Sequence, residues 1–443
     1  MAKKSESENC MKYVIIGNSA AGVNAAEAIR EKDPSGKITI VSKEDCGVYS
    51  RCLLSYYIAG SINEEKLLYR YNDFYKKRKI DALLGLSVES INTSKKEISL
   101  SDKKRIEYDK LLIASGASAK KLGIKGDDKK GVLCFRDLSD AKAVLSLLDK
   151  VRDVAILGGG PIGMRDGYAL ASRGKKVKVI IKSPRVLSQV IDETAADIVG
   201  SHIKENGMEV LTGVAVKEIL GGDSLEGLML DDSSKIACEL AIVGKGVSPN
   251  TGFLEGSKIK INKGICTDNH LMTNIEDIYA AGDVAETVDI STGEAAINAI
   301  WPCAVRQGRV AGLNMAGGDT EYGGSMAANS IDLFALSVVS LGLSRPKGDR
   351  YKEESSVNLR DKRYRKLVFD GNRLVGAILV GDIEEAGVYG LLIEKKVDIS
   401  DVRSDLLSAG FDFGKAVPLI LNNKELFVEP EYGQMLNTIG KER

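Results

Sequence analysis

A short apolar strand that stops at a glycine and turns directly into a helix occurs twice in this chain, and no other feature restricts its fold as much. The first copy runs Tyr13-Val-Ile-Ile16, then Gly17-Asn18-Ser19-Ala20-Ala21-Gly22, an alanine-rich helical stretch to Arg30 and a second strand, Ile38 to Val41. The second runs Asp153-Val-Ala-Ile-Leu157, then Gly158 to Gly163, a helical stretch to Arg173 and the strand Val177 to Ile181. Strand, tight turn, helix and parallel strand make a βαβ unit, which covers both faces of a parallel sheet with helices. The expected fold class is α/β, with two Rossmann-like dinucleotide-binding domains. From about Met326 the glycine-rich turns stop. Arg365 to Phe369 and Leu374 to Val380 flank the turn Asp370-Gly371-Asn372, so a C-terminal α+β domain is expected there.

Composition removes several functional classes. The 62 basic and 62 acidic residues cancel, so no global field favours nucleic acid or an anionic membrane surface, and any charged partner site must be local. No apolar run approaches twenty residues, and the start, MAKKSESENCM, lacks a signal-like apolar stretch; a cytoplasmic protein without membrane contact is expected. Seven cysteines at irregular spacings without a C-x-x-C read as free thiols, with no metal or cluster site of the usual spacing.

Each turn carries a phosphate-binding mechanism. Gly17 permits the bend, Gly22 lets helix and strand approach, and the N–H groups at Ala20 and Ala21 face outward at the positive end of the helix. Ser19 stands where a middle glycine is usual. At the end of the next strand, where an acid normally accepts from a ribose hydroxyl, stand Ser42, Lys43 and Glu44. The second turn, Gly158-Gly-Gly160-Pro161-Ile162-Gly163, fills all three glycine positions. Its following strand ends at Ile181 and Lys182, with Arg185 close by and no acid, which leaves NADP(H) as well placed as NAD(H). Gly246, after the strand beginning at Ile242, belongs to the same nucleotide site.

Two further segments, Tyr108-Asp-Lys-Leu-Leu-Ile-Ala-Ser-Gly116 and Thr273 to Asp283, ending Ile278-Tyr-Ala-Ala-Gly-Asp283, complete a pattern. With them the chain resembles the pyridine nucleotide-disulfide oxidoreductase superfamily over essentially its whole length. The resemblance implies FAD on the first unit and NAD(P)H on the second. It implies FAD contacts from Ala114, Ser115 and Gly116 at the crossover, a ribityl hydrogen bond to Asp283 beside Gly282, and a helix after the fingerprint, Trp301 to Arg309, with Cys303, Ala304 and Gln307 near the flavin. It also implies an FAD-binding domain of residues 1–118 and 249–325, an NAD(P)-binding domain of 119–248, and a C-terminal dimerisation domain of 326–443. Relatives often carry a glutamate where this chain has Arg165.

The segment Tyr49-Ser-Arg-Cys-Leu-Leu-Ser-Tyr-Tyr-Ile-Ala-Gly60 resembles two branches. Its end is similar to coenzyme A-disulfide reductases and NADH oxidases, which places a redox cysteine at Cys52. Its Tyr49-x-Arg51-x-x-Leu54-Ser55 frame is similar to rubredoxin reductases and the flavin portion of NAD(P)H-nitrite reductases, as is Tyr364 to Asp382, and carbon monoxide dehydrogenase-associated flavoenzymes share the Tyr-Ser-Arg-Cys run. Arg51 and Cys52 face the flavin on either reading. A histidine base of the glutathione-reductase kind is missing, because only His202 and His270 exist. The leading expectation is a homodimeric FAD-dependent NAD(P)H oxidoreductase exchanging electrons with a ferredoxin-like or rubredoxin-like iron–sulfur partner. The alternatives are a Cys52-dependent coenzyme A-disulfide or persulfide reductase or NADH oxidase, and a flavin-bearing relay subunit without nicotinamide binding.

Overall fold

The computed structural model describes residues 10–408 and 410–427. The first βαβ unit seeds a five-stranded parallel sheet in the order Ile278–Ala280, Lys110–Ile113, Lys12–Ile16, Lys37–Ser42, Ile80–Leu84. The central strand shows why: Tyr13 and Ile15 enter one hydrophobic cluster, Val14 and Ile16 the other. A strand with both faces apolar is stable only when both are covered. One cover consists of the helices Ala20–Lys32 and Trp301–Met315. The other includes the antiparallel strands Val88–Asn92, Glu97–Leu100 and Arg105–Glu107.

The helix Trp301–Met315 continues six residues beyond its expected end at Arg309, and small residues explain its position. A Cβ on Gly308 would lie 2.1 Å from the Ala21 carbonyl oxygen, and one on Gly312 2.4 Å from that of Ala25. The two helices touch backbone to backbone, which fixes both to the sheet edge carrying the first glycine turn.

The second unit builds a second parallel sheet, in the order Glu209–Thr212, Lys176–Ile181, Asp153–Leu157, Leu240–Val243, Val132–Cys134. Val154 and Ile156 face one cluster, Ala155 and Leu157 the other. The chain passes between the two sheets through the antiparallel pair Ala117–Ala119 and Val247–Pro249. Asn250 pins this crossing: its side-chain amide donates to the Ser115 carbonyl (2.8 Å), and its own carbonyls accept from Ser115 Oγ (2.9 Å) and Ser118 Oγ (2.7 Å).

The C-terminal region is a five-stranded antiparallel sheet, Ala328–Leu333, Leu336–Gly342, Arg373–Val380, Arg363–Asp370, Lys352–Asn358 in spatial order. The expected Asp370-Gly371-Asn372 turn joins two of these strands. One face packs on the helices Ala386–Lys395 and Phe413–Asn422. The other joins the core of the second parallel sheet through Ile331, Leu333, Tyr364, Ile378 and Val380. The whole is the expected α/β architecture: two Rossmann-like sheets and a C-terminal α+β unit. Among the described residues no helix is long and apolar enough to cross a membrane.

Candidate active site

The first glycine turn is built by exclusion. Gly17 has φ +120°, and a Cβ there would stand 2.0 Å from the Ala114 carbonyl oxygen; a Cβ on Gly22 would stand 2.0 Å from the Gly17 oxygen. The turn therefore locks against the crossover segment Ala114 to Gly116. Ser19 caps the helix without a side-chain hydrogen bond, so the small residue in the middle-glycine position leaves the first-turn N–H groups of Ala20, Ala21 and Gly22 for an anion. Asn18 exchanges hydrogen bonds with the Tyr75 hydroxyl at 2.7 and 3.0 Å and bonds the Cys46 carbonyl.

At the end of the following strand Ser42 is buried and Lys43 exposed. Glu44 organises the rest: it accepts from the Tyr49 hydroxyl (2.6 Å) and pairs with Arg51, which also donates to the Arg136 carbonyl (3.1 Å). Tyr49 in turn accepts from the Leu138 N–H (3.0 Å). Glu44 thus ties the strand end to the segment bearing Cys52.

Gly282, Asp283, Cys303 and Ala304 arrive from the other direction. A Cβ on Gly282 would lie 3.2 Å from Ala21 Cβ and 3.7 Å from Ala304 Cβ, so first turn, fingerprint and helix start meet at one point. The Gly282 N–H donates to the buried Gln307 side chain (2.7 Å), which also reaches the Tyr322 hydroxyl. Asp283 pairs with Arg136 through Oδ2. Cys303 is buried, and burial pushes its thiol pKa up.

Cys52 is exposed, beside charges from three other segments. Its surroundings desolvate the thiolate and raise its pKa; Arg165 opposes that rise, Asp283 adds to it, and Ser50 and Arg136 oppose it. Cys52, Asp283, Arg136 and Arg165 are therefore neighbours, although the last is on the second dinucleotide unit. Neither histidine takes part: His202 lies against the Phe334 carbonyl and Lys362, and His270 pairs with Asp319.

The second turn repeats the geometry with a different finish. Gly158 (φ +141°) abuts Gly244, and Gly163 abuts Gly158. Gly160 caps the helix Pro161–Ser172, with Pro161 at its first position, and a Cβ there would meet nothing within 4 Å. Ile162 is 48% exposed. Ile181 is buried against Gly159. Lys182, 66% exposed, pairs with Asp231 (2.6 Å), and Arg185 pairs with Glu193 and Asp197. Gly246 is exposed and its carbonyl accepts from the Lys120 N–H. Arg165 donates to the Ser330 carbonyl (2.7 Å), with its guanidinium 5.9 Å from the Tyr56 ring centroid.

Known families match this arrangement. Residues 11–308 match the family model described as pyridine nucleotide-disulphide oxidoreductase. The chain belongs to the pyridine nucleotide-disulphide oxidoreductase family. Residues 328–397 match the rubredoxin NAD+ reductase C-terminal domain. The chain is 32% identical over 395 residues to nitrite reductase [NAD(P)H] of Bacillus subtilis (strain 168); that match covers 88% of this chain and 48% of the relative, about half its length. It is 30% identical over 415 residues to the NADH-dependent phenylglyoxylate dehydrogenase subunit epsilon of Aromatoleum evansii, covering 92% of this chain and 97% of the relative. Among solved structures, a NAD-dependent persulfide reductase from A. fulgidus superposes with a TM-score of 0.83 at 26% identity, covering 90% of this chain and 79% of that one.

This pyridine nucleotide-disulphide oxidoreductase is an FAD-dependent NAD(P)H oxidoreductase, and its residues fit both cofactors. Gly160 is the clearest test: its missing side chain serves no protein contact, but leaves the close approach that a pyrophosphate needs. In the first unit the same chemistry is offered by a helix start with no side-chain cap, with a carboxylate, Asp283, at the meeting point. Sequence reading did not identify Arg136, Asp166 or the Tyr49–Glu44 hydrogen bond. The Tyr49-x-Arg51 frame pointed toward the last of these; nothing local marked Arg136 as the partner of a residue 147 positions away.

Proposed function

We propose that this flavoenzyme takes hydride from NAD(P)H and passes electrons singly to a small iron–sulfur protein of the ferredoxin or rubredoxin type. Bound flavin supplies the step from paired to single electrons. The observation that carries the reading is the state of Cys52. Although the residue is exposed, desolvation by the surrounding segments raises its thiol pKa, no histidine stands near to accept its proton, and all seven cysteines are free. A thiol kept protonated is a poor nucleophile, so electron transfer without a cysteine intermediate fits better. The rubredoxin-reductase character of residues 328–397 supports the same acceptor class, and the phenylglyoxylate dehydrogenase relative is itself a subunit of a larger NADH-dependent enzyme.

On this reading the protein's residues hold and orient. The Ala20–Gly22 helix start and the Gly17 turn hold the FAD pyrophosphate, and Asp283, with Arg136 fixing its carboxylate, accepts from the ribityl chain. Ser42 or Glu44 serves the adenosine ribose. Gly158 to Gly163 hold the nicotinamide dinucleotide. We assign residues 1–118 and 249–325 to the FAD-binding domain, 119–248 to the NAD(P)-binding domain, and 326–443 to a homodimer interface in a cytoplasmic protein.

A second reading, a thiol-based reductase of coenzyme A disulfides or persulfides, is favoured by the exposure of Cys52 between the Arg165 and Arg136 cations, which oppose the rise in its pKa. Cys52→Ser separates the two. Under anaerobic stopped flow with NADH and then a reduced-minus-oxidised assay of a small ferredoxin or rubredoxin, the variant is expected to keep its transfer rate within about twofold, since a surface-level Cys-to-Ser change is nearly neutral. Loss of transfer by more than an order of magnitude would establish the thiol mechanism instead.

A further inference from the structure

The helix that begins at the nicotinamide turn, Pro161–Ser172, lies beside the short helix Leu54–Ile58 that follows Cys52. Two consecutive residues make the connection. Arg165 places its guanidinium near the Tyr56 ring. Asp166, 1% exposed, holds Ser55 Oγ through Oδ1 at 2.6 Å, while its second oxygen is buried without a hydrogen-bond partner. A buried carboxylate with one bare oxygen is costly in the charged form, whereas the neutral acid tolerates the site. Ser55 lies one helical turn beyond Cys52, so the Asp166 carboxyl and the Cys52 thiol are linked by a single turn of backbone.

We propose that Asp166 is a positioning residue for the flavin-reducing step: as a neutral acid it ties the nicotinamide-turn helix to the Cys52 helix and leaves the Arg165 cation to act on the Cys52 thiol. The inference rests on NAD(P)H reducing the bound flavin, and not on which protein accepts the electrons. Ionisation of Asp166 sets a negative charge beside Arg165 and offsets that cation's field at Cys52, while the bond from Ser55 Oγ, which favours the carboxylate, keeps the two helices joined.

Burial raises the Asp166 pKa from its ordinary 3.8 to about 7, with Ser55 and Arg165 pulling the other way. The change of state therefore falls at physiological pH. The other ionisable groups on the packed elements are Tyr56 and Tyr57 on the Cys52 helix, Asp332 on the strand Ala328–Leu333, and Asp153, Lys176 and Lys178 on the flanking strands. Among the described residues, Arg165 is the charge that acts on Asp166.

The test uses the FAD-loaded enzyme as wild type, Asp166→Asn and Ser55→Ala, with two readouts across pH 7. One is the anaerobic rate of flavin reduction by NADH. The other is alkylation of Cys52 by iodoacetamide, followed on its own peptide by mass spectrometry. The wild type is expected to show a break near pH 7 in both. In D166N, whose amide keeps the neutral form at every pH, the break disappears and Cys52 alkylates several-fold faster above pH 7. In S55A, which removes a bond favouring the carboxylate, the break moves to higher pH. A folded-state pKa above the ordinary value contributes stability that is complete below about pH 4 and lost as pH rises through about 7. The melting temperature of the wild type should therefore fall relative to D166N across that window. Superimposable profiles for wild type and D166N, or a break that S55A leaves in place, would overturn the proposal. Either result is independent of the iron–sulfur acceptor, because neither readout contains one.

Discussion

The two glycine turns share a backbone design and differ in everything that surrounds it. The first is braced from all sides: Ala114 against Gly17, Tyr75 on Asn18, Glu44 tied to Tyr49 and Arg51, and a second helix pressed through Gly308 onto Ala21. The second is finished on its inner side only. Gly160 faces open space, Ile162 is half exposed, and the cations at its strand end are engaged by surface acids. A cofactor that stays throughout turnover gains from a preorganised, fully packed cradle, whereas a dinucleotide that must leave after each hydride transfer needs an open one. On the proposed assignment the same motif serves a resident and a visitor, and the packing around it makes the distinction.

Substitution at the two turns separates these roles. Gly17→Ala forces a side chain into a φ +120° residue and against the Ala114 oxygen 2.0 Å away. The strain and overlap together cost at least about 3 kcal/mol, a large share of a typical domain's stability. The variant is expected to purify with little flavin, seen as loss of the visible flavin bands, and with a lowered melting temperature. Full flavin occupancy in G17A would remove the argument that the first turn is built by exclusion.

Gly160→Ala is the opposite case. Its backbone (φ −77°) suits any residue, and the added methyl meets no protein atom within 4 Å, so stability should change by no more than about 0.5 kcal/mol. The methyl would instead occupy the approach to the pyrophosphate. KM for NADH is expected to rise about tenfold, equivalent to about 1.4 kcal/mol, with flavin content and melting temperature unchanged. An unaltered KM would mean that the nicotinamide dinucleotide does not sit on this turn.

How much of this could be read from the chain follows from the same contrast. Both βαβ units, the crossover at Tyr108 to Gly116 and the fingerprint ending at Asp283 are local patterns, in which strand periodicity, glycine spacing and helix propensity act within a few residues. They placed the sheets and the convergence point. The polar connections between remote segments were not legible. Arg136 with Asp283, Asp166 with Ser55 and Lys182 with Asp231 each join common surface residue types, and only the packed sheets decide which of many such residues meet. Asp166 shows the difficulty well: an aspartate after an arginine on an amphipathic helix suggests a solvated face, yet it is among the most buried carboxyls in the protein. Gly308 and Gly312 were visible as a four-residue spacing, but in a chain with 46 glycines that spacing acquires meaning only once the facing helix offers Ala21 and Ala25.

The smallest expected effect tests the open side of the comparison most finely. The strand end at Ile181 and Lys182 offers no carboxylate for a ribose hydroxyl, and its nearest cation is held by Asp231 at 2.6 Å, an exposed pair that the hydrogen bond from Lys182 keeps ionised by lowering the Asp231 pKa. A 2′-phosphate must compete with Asp231 for Lys182 and meets an added negative charge, while a 2′-hydroxyl does neither. Native preference should therefore lean toward NADH. Asp231→Asn removes the competitor and the repulsion without touching the turn, so kcat/KM for NADPH should improve relative to NADH by about two- to fivefold, the scale of one exposed charge pair. Raising the salt concentration should shrink that gain, because the pair is solvent-exposed and screened. A ratio that Asp231→Asn leaves unchanged at low salt would place the adenosine ribose away from Lys182, and would move the origin of nicotinamide preference to the buried Ile181 side of the turn.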